Sequence, residues 1–87
     1  MRLKHDIVRL GDLGVGVGFY RFVYNGGRTT YVGVMAQEVR RVKPNAVFRD
    51  REGYLEVLYD RLAVTFETYD RWVASGAHIP SISWGKE

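Results

Sequence analysis

Few residues in this chain have the type and spacing to do chemistry, and most of the usual arrangements fail on inspection. There is no cysteine, which excludes disulfides, a thiolate zinc site and a cysteine nucleophile together. His5 and His78 stand at opposite ends of the sequence without a companion at metal-ligand spacing, so each reads as a surface or turn residue, and no metal is expected. Gly14, Gly16 and Gly18 invite a phosphate-loop reading. Their spacing is G-x-G-x-G, however, with Phe19 where a dinucleotide loop needs its third glycine and no βαβ unit around it. They read instead as glycines that ease the start of a twisted strand. Ser83-Trp84-Gly85-Lys86 has the bare S-x-x-K spacing of some serine acyl enzymes. That chemistry needs the serine at a helix start, with the lysine one turn later, and this copy sits in a tail containing Gly and Pro. The acidic residues never form a pair within a buried run, so two-carboxylate hydrolysis has no support. No cofactor is expected, and residue chemistry alone does not announce an enzyme.

The elements that would have to position any site are those of one small domain. At 87 residues the chain buries roughly 60–65% of its unfolded surface. It is 46% apolar and 14% aromatic, too greasy for a disordered chain or a pure coiled coil. No run approaches the length of a membrane span, and the opening MRLKHDIVRL carries charge throughout, unlike a signal peptide. A soluble globular domain is expected. The net charge is +3, with acidic residues following basic ones closely, as in Arg49-Asp50-Arg51-Glu52. Such mixing suits a solvated surface. Arg40, Arg41 and Lys43 form the one basic knot, and neither net charge nor an RNP-like motif supports nucleic acid as its partner.

The pattern predicts an α+β fold with two β-hairpins, a short helix after the first and a longer C-terminal amphipathic helix. Val15 to Tyr24 and Thr29 to Ala36 are β-rich runs around Asn25-Gly26-Gly27, a hairpin. The first of these strands is apolar on both faces, with Tyr20, Phe22 and Tyr24 on one side and Val17, Phe19 and Val23 on the other. It needs a cover, either a helix or a neighbouring subunit. Gln37 to Val42 reads as a short helix ended by Pro44. Ala46-Val47-Phe48 and Tyr54 to Tyr59 flank the turn Asp50 to Gly53, a second hairpin. Asp60 is a candidate cap for a helix running to Ser75, with Leu62, Phe66, Tyr69 and Val73 as its apolar stripe and Gly76 at its exit. Residues 1–76 are expected to form the globular domain and residues 77–87, with Pro80 and Trp84, an irregular tail.

One resemblance cuts across this inventory. Gly33-Val34-Met35-Ala36-Gln37-Glu38-Val39, then Pro44, then Gly53-Tyr54-Leu55-Glu56-Val57-Leu58-Tyr59-Asp60-Arg61-Leu62 resembles the intramolecular chaperone auto-processing domain at the C-termini of phage endosialidases, tailspikes and tail fibres. That family's pattern is roughly G-hydrophobic-hydrophobic-A-Q-E-V, a proline, then G-Y-x-x-V-x-Y-x-x-L. Arg2-Leu3-Lys4 and Ile7 also match the family's opening S-D-x-R-L-K-x-x-I, so the likeness covers most of residues 2 to 64. The chain departs from the family at Leu58, where an acidic residue is usual. It departs again at Gly76 and Pro80, where relatives continue into a long coiled-coil-like segment.

The resemblance implies a homotrimer that guides assembly of an upstream fibre or stalk and then cuts itself off in front of the motif serine. The lysine of S-D-x-x-L-K is the general base to that serine, a Ser–Lys dyad. Lys4 holds the lysine position, and the serine would fall before Met1, so no self-cleavage is expected from these 87 residues as they stand. A virion or cell-surface location would follow from attachment to a fibre. The opposed expectation is a stand-alone structural or binding module derived from that domain, and a third is a small nucleic-acid binder using Arg40, Arg41 and Lys43. Besides Lys4, the motif singles out Gln37, Glu38, Pro44, Gly53, Tyr54 and Tyr59. Gln37 and Glu38 fall where a strand hands over to a helix and could bond its orphan N–H groups. Glu38 could instead lie near the cleavage site and orient Lys4. Aromatic residues from Phe19 to Tyr24 are expected to contribute to the trimer's buried surface.

Overall fold

The computed structural model describes residues 3–82, which build an α+β fold of six strands in two antiparallel sheets with two short helices. The expected first hairpin is present as β2 (Gly18–Tyr24) and β3 (Thr30–Gly33). Its register sets Tyr20 against Gly33 and Phe22 against Tyr31. At the turn the Gly27 N–H donates to the Tyr24 carbonyl, and Gly26 adopts a φ of 87° that a side chain would resist.

The longest strand is one the sequence pattern does not suggest. β1 (Lys4–Asp12) pairs antiparallel with β2 and forms an edge of the sheet, whose order is β1, β2, β3 and then β6 (Glu67–Thr68). Its charges hide it from a hydrophobicity reading, yet charge on an edge strand is what keeps such an edge from pairing with other chains. A bulge adds to the disguise. Asp6 and Ile7 oppose the single residue Phe22, with Asp6 at a φ of 53°, and the in–out alternation is lost.

The second hairpin is present as β4 (Val47–Arg49) and β5 (Leu55–Val57), a separate two-stranded sheet. The Asp50 carboxylate closes its turn by accepting the backbone N–H groups of Glu52 and Tyr54. Between the hairpins lies α1 (Ala36–Val42), followed by a 3-10 turn that begins at Pro44.

The C-terminal helix is shorter than the stripe suggests. α2 spans only Tyr69–Ala74 and is capped by Thr68, whose hydroxyl accepts the Arg71 N–H at 3.2 Å. Asp60 lies instead in a single 3-10 turn, and the chain then leaves helical geometry with Ala63 at a φ of 56°. Leu62 and Val64 are buried while Ala63 and Thr65 are exposed, a period of two rather than 3.6. β6 (Glu67–Thr68) then pairs with β3. The backbone bonds gained at that edge, with Val64 and Thr65 poorly suited to a helix, outweigh the helical spacing of the apolar residues. Trp72, not Val73, is the residue of α2 that enters the core.

Both faces of β2 are covered within one chain. Phe19 meets Trp72 of α2 at 5.6 Å between ring centroids, and the Arg21 guanidinium lies over Tyr69. On the opposite face Phe22 is closed in by Lys4, Tyr24 and Phe66. Phe19 and Phe22 are therefore fully buried without a second copy, each worth on the order of 1.5–3 kcal/mol. Tyr20, Arg21 and Tyr24 are the β2 side chains left partly open. Residues 77–82 form no regular element, but the Ile82 N–H donates to the Leu13 carbonyl and its side chain packs on the core. Met1, Arg2, the Ser83-Trp84-Gly85-Lys86 motif and the Trp84 tail lie outside the described residues. Among the described residues no helix is long and apolar enough to cross a membrane.

Candidate functional site

Lys4 opens β1 directly across from Tyr24, and the pairing lays its side chain on the same face as Phe22. The ammonium sits 4.7 Å from the Phe22 ring centroid and 5.9 Å from that of Tyr24. Burial against these rings lowers its proton affinity below the ordinary lysine value, and the Glu56 carboxylate of β5 acts in the opposite sense. Among the described residues no hydrogen bond holds the ammonium. The rings extend into a cluster in which Phe66 stacks on Tyr31 at 4.9 Å and meets Tyr59 at 5.2 Å. A half-buried amine on an aromatic floor can exchange a proton near neutral pH more readily than a solvated one.

Glu38 is placed elsewhere. One of its carboxylate oxygens accepts the Gly18 N–H at 2.8 Å and the other accepts the Tyr20 hydroxyl at 2.7 Å. It caps no helix: α1 begins at Ala36, with Met35 before it and no side-chain cap bond, and Gln37 is exposed. Nor does it approach Lys4, because Tyr20 and Tyr24 are four residues apart on β2, about 13 Å along an extended strand. Glu38 ties α1 to the first residues of β2. Its bond to Tyr20 raises the proton affinity of that phenol, with some burial adding to the effect. Arg9 lies over the same ring and pairs with Asp12 at 2.8 Å, so this end of the sheet is a closed polar network.

The other motif residues serve the fold. The Tyr59 hydroxyl accepts the Val34 N–H at 3.0 Å, and burial keeps its phenol protonated far above the ordinary range. Gly33 leaves the space for it, since a Cβ there would collide with the Tyr59 hydroxyl. Pro44 begins the 3-10 turn, Gly53 takes a φ of 88° at the tip of the second hairpin, and Tyr54 follows it on the surface. Arg40 and Arg41 are exposed on the last turn of α1, where cations are ordinarily favoured by the helix dipole. His5 bonds its neighbour Asp6 on the surface, and the His78 carbonyl accepts the Trp72 indole N–H. Among the described residues no group of three or more His, Cys, Asp or Glu could hold a metal.

Sequence reasoning missed Glu56 and the role of Tyr24 and Phe22 as walls around Lys4. The alternation of aromatics in β2 was a usable signal for the walls, but the partner strand that carries Lys4 onto them was not apparent. Compared with known protein families, with curated proteins and with solved structures, the chain matches none.

Proposed function

We propose that the chain is the assembly and processing domain of a fibre-like or surface protein. It works as a homotrimer and cuts itself free where a Ser-Asp dipeptide precedes Met1. What carries this reading is the setting of Lys4. The position that the family resemblance gives to the general base holds a half-buried amine with lowered proton affinity, which a lysine base requires. In the proposed step the neutral Lys4 amine takes the serine hydroxyl proton as the oxygen attacks the carbonyl before it, and the ammonium protonates the serine's own amine as the peptide bond breaks. Water then hydrolyses the resulting ester, freeing the upstream carboxylate and restoring the serine hydroxyl.

The test is an extended polypeptide with Ser-Asp before Met1, behind a trimeric stalk. Cleavage immediately before that serine is expected, abolished by Lys4→Ala while the trimer persists in sedimentation. A folded trimer that stays uncut, or an equally fast cut in Lys4→Ala, overturns the reading. A second reading, a non-catalytic structural or binding module built on the same scaffold, is favoured by one observation. Glu38, Gly53 and Tyr59 each serve packing, turns or hydrogen bonds within a single chain. In that case the extended polypeptide assembles but is never cut.

A further inference from the structure

The bulge in β1 opens a hollow on the face of the sheet that carries α2. Asp6, Ile7 and Val8 all line it, three consecutive residues where an unbroken strand would turn every second one away. Arg21, Val23 and Thr30 continue it across β2 and β3, and its volume of about 510 Å³ is within the usual range of small-ligand sites. Asp6 holds a left-handed φ of 53° at this bulge, and such strain in a non-glycine residue gathers where a site needs its shape. Ile7 and Val8 leave 49% and 40% of their surface open, whereas Val23 is buried.

Arg21 is the charge that this hollow leaves unanswered. It stands midway along β2, between Val8 and Val32 of the flanking strands, with its guanidinium 5.3 Å from the Tyr69 ring centroid. Among the described residues it makes no ion pair and no hydrogen bond. The neighbouring charges are placed elsewhere. Asp6 sits at the rim with its side chain 79% exposed and bonds His5. Glu67 lies in the same cross-strand row as Arg21 but two strands away, about 10 Å. Arg28 and Asp70 line a neighbouring hollow beyond Thr30. A partly buried cation among aliphatic side chains is costly, and the ring offsets only part of that cost. A carboxylate would complete the site with two parallel N–H bonds.

We propose that this hollow binds a small monocarboxylate with an apolar body, Arg21 taking the carboxylate and Ile7, Val8 and Val23 the body. One guanidinium with the Asp6 carboxylate at the rim selects against phosphates and polyanions, whose further charge would meet a like charge there. Lys4 lies on the opposite face of the sheet, against Phe22, so the site stands or falls independently of the function proposed above.

The experiment follows the backbone amide NMR signals of the full 87-residue chain through titrations with hydrocinnamate, with its neutral amide and with acetyl-valyl-leucine. Hydrocinnamate is expected to give saturable shifts centred on Asp6 to Val8, Arg21, Val23 and Thr30. The neutral amide, which has the same body without the charge, should bind roughly tenfold more weakly. Arg21→Met should remove that preference. No saturable shift, equal binding of acid and amide, or a preference that survives Arg21→Met overturns the inference. Saturation by acetyl-valyl-leucine alone also overturns it, in favour of a peptide chain end as the occupant. If Arg21→Met does not fold, Ile7→Asp decides: it places a second carboxylate on the exposed rim, and undiminished hydrocinnamate binding there is equally fatal.

Discussion

The two ends of β2 handle a charged side chain in opposite ways. At the Gly18 end the Glu38 carboxylate receives two directed donors, at 2.8 and 2.7 Å, and its charge is spent on joining α1 to the sheet. At the Tyr24 end the Lys4 ammonium rests on aromatic rings, and among the described residues no hydrogen bond fixes it. A charge with directed partners strengthens a fold, because withdrawing it leaves buried donors unmet. A charge that is merely desolvated costs stability, and it persists where its reactivity is useful. The sequence motif treats both residues alike; the structure separates a strut from a candidate base.

The largest expected effect is at the strut. Glu38→Ala leaves the Gly18 N–H and the Tyr20 hydroxyl without their acceptor and should lower stability by about 2 kcal/mol in denaturant unfolding. An unchanged midpoint would erase the contrast between the two ends.

The opposite sign is expected at Lys4. Lys4→Met keeps the apolar stem over Phe22 and removes the desolvated charge, so stability at neutral pH should hold or rise by up to about 1 kcal/mol. The pH dependence sharpens this. With its folded value below the ordinary 10.5, Lys4 binds fewer protons in the folded chain across that interval, so wild-type stability rises with pH there. Tyr20 and Tyr59 have folded values above the ordinary 10.0 and bind more protons when folded, so stability falls as pH climbs past 10. Denaturant midpoints should therefore climb and then turn over near pH 10, and Lys4→Met should flatten the climb while keeping the fall. A climb that survives Lys4→Met would assign it to another group.

The smallest effect expected lies away from both ends, in the segment that replaced half of the anticipated helix. Ala63→Gly relieves the left-handed backbone at that residue and should stabilise by roughly 0.5–1 kcal/mol. A loss of stability would mean that the break after Asp60 is not where the chain leaves helical geometry in solution.

Local chemistry was enough to read both hairpins. Asn25-Gly26-Gly27 and Asp50 to Gly53 carry turn residues whose backbone freedom and side-chain acceptors act within a few residues, so no distant contact is needed to recognise them. α1 was recognisable for the same reason, with Pro44 as its stop. The reading failed where a long-range choice competed with a local pattern. Leu62, Phe66, Tyr69 and Val73 keep helical spacing, but the chain from 62 to 68 gains more by burying Leu62 and Val64 and pairing with β3. Among candidate site residues, Lys4 and Glu38 were singled out by the family resemblance, but their separation could not be read from it.

Composition, turn residues and apolar alternation thus determine an α+β domain with two hairpins and a two-faced central strand, because each is a property of near neighbours along the chain. Tertiary structure adds β1 on the edge of the sheet, the late start of the C-terminal helix and the company that Lys4 keeps. Those depend on which strand accepts which edge, and that is decided by hydrogen bonds and burial summed over residues far apart in sequence. Lys4 meets Phe22 and Tyr24 only because β1 pairs with β2, and it feels the charge of Glu56 only because the fold brings that distant residue within electrostatic range. The proton affinity of one amine is set by that assembly, which no spacing within the chain records.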